Sequence, residues 1–179
     1  ERVHTRLPLQ VVDDGAVSNE TRLGAIADLQ LALQRATTAG PVDGWLVLAC
    51  DNLFEFDLGR LVARFAERRH GQLIVRQVPA PVPPSKYSEV VLRGDAVASF
   101  REKPTDPRSD LSAIAIYLLP AELPELVRTY LAQGGNPDAP GHLLAWLAQR
   151  LPLQATRLDG RWFDIGSADD LAAANRALG

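Results

Sequence analysis

The chain has 179 residues, 46% of them apolar, a formal net charge of -3 and one cysteine, Cys50. That length supports one core, and Lys and Arg are scattered without the basic excess a nucleic-acid backbone selects. No run approaches the ~18 consecutive apolar residues of a membrane span, "ERVHTRLPLQ" has no signal-peptide layout, and one cysteine excludes an internal disulfide and suits a reducing, cytoplasmic compartment.

In chain order, "LPLQVV" from Leu7 to Val12 reads as a strand stopped by Asp13-Asp14-Gly15. A helix follows, capped by Ser18 or Asn19, with Leu23, Ile26, Leu29 and Leu33 at helical spacing. After Gly40-Pro41, Trp45 to Cys50 is a continuous apolar run, expected to be a strand buried on both faces. "LGRLVARFAERRH" predicts a helix with Leu61, Val62 and Phe65 on one face, and "QLIVRQV" a third strand. This alternation predicts a parallel sheet covered by helices. Val78 to Lys86 is a Pro-rich loop in which Lys86 reads as a solvated charge. "YSEVVL" and "AVASF" form a hairpin around Arg93-Gly94-Asp95, and "SAIAIYLL" is another strand. "PAELPELVRTYLAQ" and "GHLLAWLAQR" are helices joined by Gly134 to Gly141, with Asp138 as cap. "LQATRL" and "RWFDI" read as a hairpin around Asp159-Gly160, before a last helix begun by Ser167. Residues 1–179 are expected to form a single domain.

Asp51 stands where the run of Trp45 ends. Beyond the carboxyl end of a parallel strand a carboxylate suits a hard cation such as Mg2+, but the local pattern alone favours a cap on the next turn, since Asp and Asn are ordinary turn residues. Asp164 in "GRWFDIGSADDL" also follows a short strand, and Ser167 leaves it no capping task; two such acids could share one metal. Glu102 and Lys103 stand between a strand and Pro104, where Lys can hold a phosphate and Glu can accept from sugar hydroxyls. His4, His70 and His142 are too dispersed to suggest a site, and Trp45, Trp146 and Trp162 read as packing.

"VVDDGAVSNETRLGAIADLQ", "LVLACDNLFEFDL", "KYSEVVLRGDAVASFREKP", "SAIAIYLLP", "GNPDAPGHLLAWLAQR" and "GRWFDIGSADDLAAAN" follow one another in an order and spacing that resemble the sugar-phosphate nucleotidyltransferases, especially the glucose-1-phosphate thymidylyl/uridylyltransferase group. The resemblance covers nearly the whole chain. It implies a Rossmann-like, three-layer α/β/α core of GT-A type with a mixed sheet. The implied reaction is nucleotidyl transfer from dTTP or UTP to a sugar 1-phosphate, releasing pyrophosphate. By resemblance Asp51 and Asp164 hold Mg2+, Lys103 holds the sugar phosphate, Glu102 binds sugar hydroxyls, and Leu23 and Gly24 lie along the base. Family members commonly associate, so the resemblance allows a homo-oligomer.

Three departures bear on the sugar: Cys50 where the family has Gly before the metal-binding Asp, Tyr87-Ser88 in place of Tyr-Gly, and Ala115 where Gly is common. The family's opening strand and G-x-G-T-R-L loop do not occur, and "HTRLPL" lacks the loop's glycines. With no methionine in the chain, we expect a chain lacking the family's first βαβ portion. Two other readings are a non-catalytic sugar-phosphate-binding module and a GT-A glycosyltransferase, although the Asp-x-Asp of the latter is absent because Asn52 and Leu53 follow Asp51.

Overall fold

The computed structural model describes residues 9–36 and 40–179. Its elements in chain order are α1 (Ala25–Arg35), β1 (Gly44–Leu48), β2 (Asn52–Phe54), α2 (Leu58–Arg68), β3 (Gly71–Gln77), β4 (Glu89–Arg93), β5 (Ala96–Arg101), β6 (Leu111–Pro120), α3 (Leu123–Ala132), α4 (Pro140–Leu147), β7 (Leu153–Arg157), β8 (Trp162–Asp164) and α5 (Ala168–Leu178). Side-chain caps set two of the helix starts: Asp57 accepts from the Gly59 amide ahead of α2, and Ser167 accepts from the Asp170 amide ahead of α5. No helix among the described residues is long and apolar enough to cross a membrane.

Six strands form one mixed sheet in the order β1-β6-β3-β7-β5-β4, and β2 pairs with β8 in a separate two-stranded ladder. Side chains alternate across β3 and β6, which is why both sheet faces are apolar. Leu73, Val75, Tyr117 and Leu119 join α1, α3 and α4 through Ile26, Leu33, Val127 and Leu144. On the other face Ile74, Ile114, Ile116 and Leu118 receive Leu61 and Phe65 of α2. The result is the expected three-layer α/β/α fold with helices on both faces. Fully buried side chains such as Leu73, Ile116 and Leu144 each contribute about 1.5–3 kcal/mol of burial.

Several expectations are corrected. The sheet is not built from adjacent parallel strands: among the described residues only β3 and β7 pair in parallel, because β6 inserts antiparallel between β1 and β3. Among the described residues β1 therefore pairs with a single neighbour, and Leu46 and Leu48 are exposed rather than buried on both faces. The strand expected from Leu7 to Val12 is irregular and exposed over Leu9–Val11, while Leu7 and Pro8 lie outside the described residues, as do His4, Thr5 and Arg6 of "HTRLPL". Helix α1 starts at Ala25, not after Ser18 or Asn19. Thr21 instead closes a local turn onto the Ser18 carbonyl, and Gly24, at φ 97°, is the residue that turns the chain into the helix. Asp138 does not cap α4, whose N-cap is Ala139; it pairs with Arg22 at 3.2 Å. Finally, the chain around Asp159-Gly160 is not a hairpin, since β7 stays in the main sheet and β8 leaves it to pair with β2.

Candidate active site

The switch between sheets builds the acidic end of the site. In the antiparallel β2–β8 ladder Asn52 lies opposite Asp164 and Phe54 opposite Trp162, and the Ile165 amide donates to the Asp51 carbonyl at 2.8 Å. Asp51 and Asp164 are thereby brought to one place from positions far apart in sequence. Neither is used as a cap, because Asp57 and Ser167 serve the helices that follow. Asn52 donates to the Asp51 carboxylate at 2.7 Å and accepts from the Trp162 indole at 2.5 Å. Burial raises the pKa of Asp164, the nearby Asp51 and Asp170 charges add to the rise, and Arg76 opposes it. A carboxylate whose proton affinity is raised by a second carboxylate beside it suits an oxygen-ligated cation, which removes the repulsion.

A cleft of about 400 Å3 opens beside this pair, lined by Asp51, Asp164, Tyr87, Ser88, Glu102, Lys103 and Ala115 among others. Glu102 is half-buried, and burial raises its carboxyl pKa while Lys103 and His142 pull it back. Its carboxylate lies against Gly141 at the start of α4, where no side chain intervenes. Lys103 takes a left-handed backbone with φ 44°, a costly conformation for a residue with a side chain. A polar hub holds it there. The buried Glu89 accepts from Arg101 at 2.7 Å, from the Ser109 amide at 3.0 Å and from the Arg108 amide, while Arg101 also pairs with Asp106 at 2.8 Å. Both ends of the segment carrying Glu102 and Lys103 are tied to one carboxylate. Arg101 lowers the Glu89 pKa.

The departures from the family pattern acquire physical meaning. Cys50 is exposed and does not line the cleft, so it does not crowd it. Ser88 lies within 3.0 Å of the Ser112 hydroxyl and accepts from the Ala113 amide at 3.1 Å, which ties its side chain to β6. Ala115 lines the cleft, and its carbonyl accepts from the Ala49 amide at 2.9 Å. Leu23 and Gly24 are not brought into the cleft: Leu23 is 42% exposed, and a Cβ on Gly24 would stand 2.7 Å from the Pro137 carbonyl oxygen, so this glycine serves close packing. Ala25 lines the cleft instead.

Sequence reading missed three of the lining residues. Arg76 closes the alternating pattern of β3 and looks like any strand-end charge. Lys86, read as solvated, reaches the cleft beside Tyr87, 5.1 Å from the ring centroid. Trp162, read as packing, forms part of the wall. Its alternation with Asp164 on one short strand was the available signal.

The chain belongs to the nucleotidyl transferase family, whose model matches residues 15–179. It is 30% identical over 148 residues to the glucose-1-phosphate adenylyltransferase of Thermomicrobium roseum, covering 79% of this chain and 34% of that protein. It is 28% identical over 141 residues to the bifunctional protein GlmU of Methanocaldococcus jannaschii, covering 76% and 32%. UTP-bound UGPase from Acinetobacter baumannii shares the fold with a TM-score of 0.69 at 24% identity, over 88% of this chain and 56% of that one. UDP-glucose pyrophosphorylase complexed with UDP-glucose does so with a TM-score of 0.70 at 19% identity, over 87% and 62%. The chain thus spans about a third of the length of these curated relatives.

Proposed function

We propose that the cleft is the sugar-phosphate part of the active centre of a Mg2+-dependent sugar-1-phosphate nucleotidyltransferase. The observation that carries this reading is the convergence of Asp51, Asp164, Tyr87, Ser88, Glu102, Lys103 and Ala115 on one cleft in a chain of this family. In the reaction an oxygen of the sugar phosphate attacks the α-phosphorus of a nucleoside triphosphate. One P–O bond forms, the bond to pyrophosphate breaks, and pyrophosphate leaves with the electron pair. The protein's task is positioning and charge neutralisation. Lys103 offers the sugar phosphate a point charge, and Glu102 accepts from sugar hydroxyls. Asp51 and Asp164 would hold the cation, which when bound neutralises charge on the reacting phosphates. The reading sets the protein in the cytoplasm, where nucleoside triphosphates are supplied. The test is pyrophosphate release by the full-length gene product, with each nucleoside triphosphate and a panel of sugar 1-phosphates. Turnover that requires both a sugar 1-phosphate and Mg2+ supports the reading, and turnover with neither refutes it.

A further inference from the structure

The cleft contains a cation that this reaction scheme does not use. Arg76, the next-to-last residue of β3, places its guanidinium carbon 5.0 Å from the centroid of the Tyr87 ring and 5.0 Å from that of Trp162. Both distances lie within the range in which a cation is held by an aromatic face. The Trp162 ring is itself fixed by its indole hydrogen bond to Asn52. Two rings contributed by different segments restrict the guanidinium and leave its N–H edges as the reactive part of the group. Eight other arginines, Arg64, Arg101 and Arg161 among them, are paired with carboxylates. Among the described residues Arg76 makes no carboxylate pair within 4.0 Å, although it lines a cleft that also contains three carboxylates.

We infer that Arg76 is a substrate-binding residue whose guanidinium grips the phosphate of the sugar 1-phosphate, as a directional fork beside the point charge of Lys103. The inference rests on the nucleotidyl-transfer reading of the cleft. The planar fork matches two phosphate oxygens at once, which an ammonium does not. Its neighbourhood supports the phosphate rather than the sugar ring as the group held. Trp162, on which it stacks, sits two residues from Asp164 on the same strand and therefore on the same face, at the acidic end where the reacting phosphates gather.

The experiment is steady-state kinetics of Arg76→Lys and Arg76→Ala in the full-length gene product, with melting curves for both. Arg76→Lys keeps the charge but loses the fork. It should raise the KM for the sugar 1-phosphate by roughly tenfold, Arg76→Ala should raise it further, and the nucleotide KM should move by less than about twofold. The panel includes one neutral sugar 1-phosphate and one uronic acid 1-phosphate, and the rise should be the same for both. A rise confined to the uronic acid compound assigns Arg76 to a sugar carboxylate and overturns the proposal, as does a rise in the nucleotide KM alone. If Arg76→Ala does not fold, Arg76→Lys decides between these outcomes. Wild-type protein that turns over no sugar 1-phosphate overturns the nucleotidyl-transfer reading itself. Wild-type turnover with both variants kinetically unchanged overturns only the role of Arg76.

Discussion

Gly141→Ala is a one-methyl test of Glu102. Gly141 is the second residue of α4, and a Cβ built there would stand 1.8 Å from the Glu102 Oε2 and 2.4 Å from its Cδ. Those atoms belong to the end of a flexible side chain, so the carboxylate swings aside and the backbone stays. Displacing Glu102 from its rotamer costs about 0.5–1.5 kcal/mol. Alanine in place of glycine returns up to about 1 kcal/mol in helix propensity. The two nearly offset, so the melting temperature should change by no more than about 4 °C. Binding has no such offset. A charged hydrogen bond contributes about 1.5–3 kcal/mol, so losing the Glu102 contact to sugar hydroxyls should raise the sugar-phosphate KM by roughly ten- to a hundredfold. The nucleotide KM should stay near wild type. The assay is a melting curve beside steady-state kinetics on both substrates. A variant that melts like wild type and keeps its sugar-phosphate KM would remove Glu102 from the substrate contacts.

Three further outcomes are expected. Asp51→Asn and Asp164→Asn should each lower turnover by orders of magnitude at saturating Mg2+. Because Asp164 is held above its ordinary pKa by burial and by Asp51, its ionised form is destabilising at neutral pH, so Asp164→Asn should melt no lower than wild type; a lower melting point refutes the repulsion argument. Lys103→Ala should raise the sugar-phosphate KM while sparing the nucleotide KM, and Lys86→Ala, whose ammonium lies beside Tyr87 at the same cleft, should have a smaller effect of the same kind rather than none; equal effects would show that Lys103 has no special place. Glu89→Gln should lower stability at pH 7 by about 1–3 kcal/mol, because a buried carboxylate loses charge-assisted bonds. Arg101 depresses the Glu89 pKa, so the stabilisation is present above the ordinary carboxylate range and disappears as pH falls through the folded value. Paired melting curves should differ at pH 7 and draw together as pH falls below the ordinary carboxylate range; a difference that does not shrink with falling pH assigns the effect to packing.

What the sequence disclosed depends on range. β3, the hairpin of β4 and β5, β6 and the helices α2 to α5 were legible because their signals are local: alternation, helical spacing, Ser167 as a cap and Gly94 in a turn. The partner of each strand was not. Nothing local to Trp45 through Leu48 says that β6, more than sixty residues later, will pair antiparallel with it. Asp159-Gly160 has the composition of a hairpin turn, and the same composition serves a chain leaving one sheet for another. Asp51, Glu102, Lys103 and Asp164 could be singled out because their segments match a family pattern. Arg76 could not, since only the fold brings Tyr87 and Trp162 beside it, and neither could Lys86, since only the fold sets its loop against the cleft.

The β2–β8 ladder shows how much of the site depends on one local decision. Side chains alternate along a strand, so Trp162 and Asp164 share a face and Phe163 takes the other. A slip of one residue would turn Trp162 and Asp164 away from Asn52 and present Phe163 to the cleft, removing one of the two acids together with one of the two rings that hold Arg76. Three-residue strands have little register specificity of their own, so the register must be fixed from outside the ladder. It is fixed at both ends. The Ile165 amide donates to the Asp51 carbonyl at one end, and the Glu55 amide donates to the Arg161 carbonyl at 3.0 Å at the other. Arg161 also pairs with the Glu55 carboxylate, and the Trp162 indole bonds to Asn52 between the two ends. The same Asn52 that fixes the ring donates to Asp51. The contacts that set the register are thus the contacts that orient the acidic pair, which links the folding of this short ladder directly to the chemistry proposed for it.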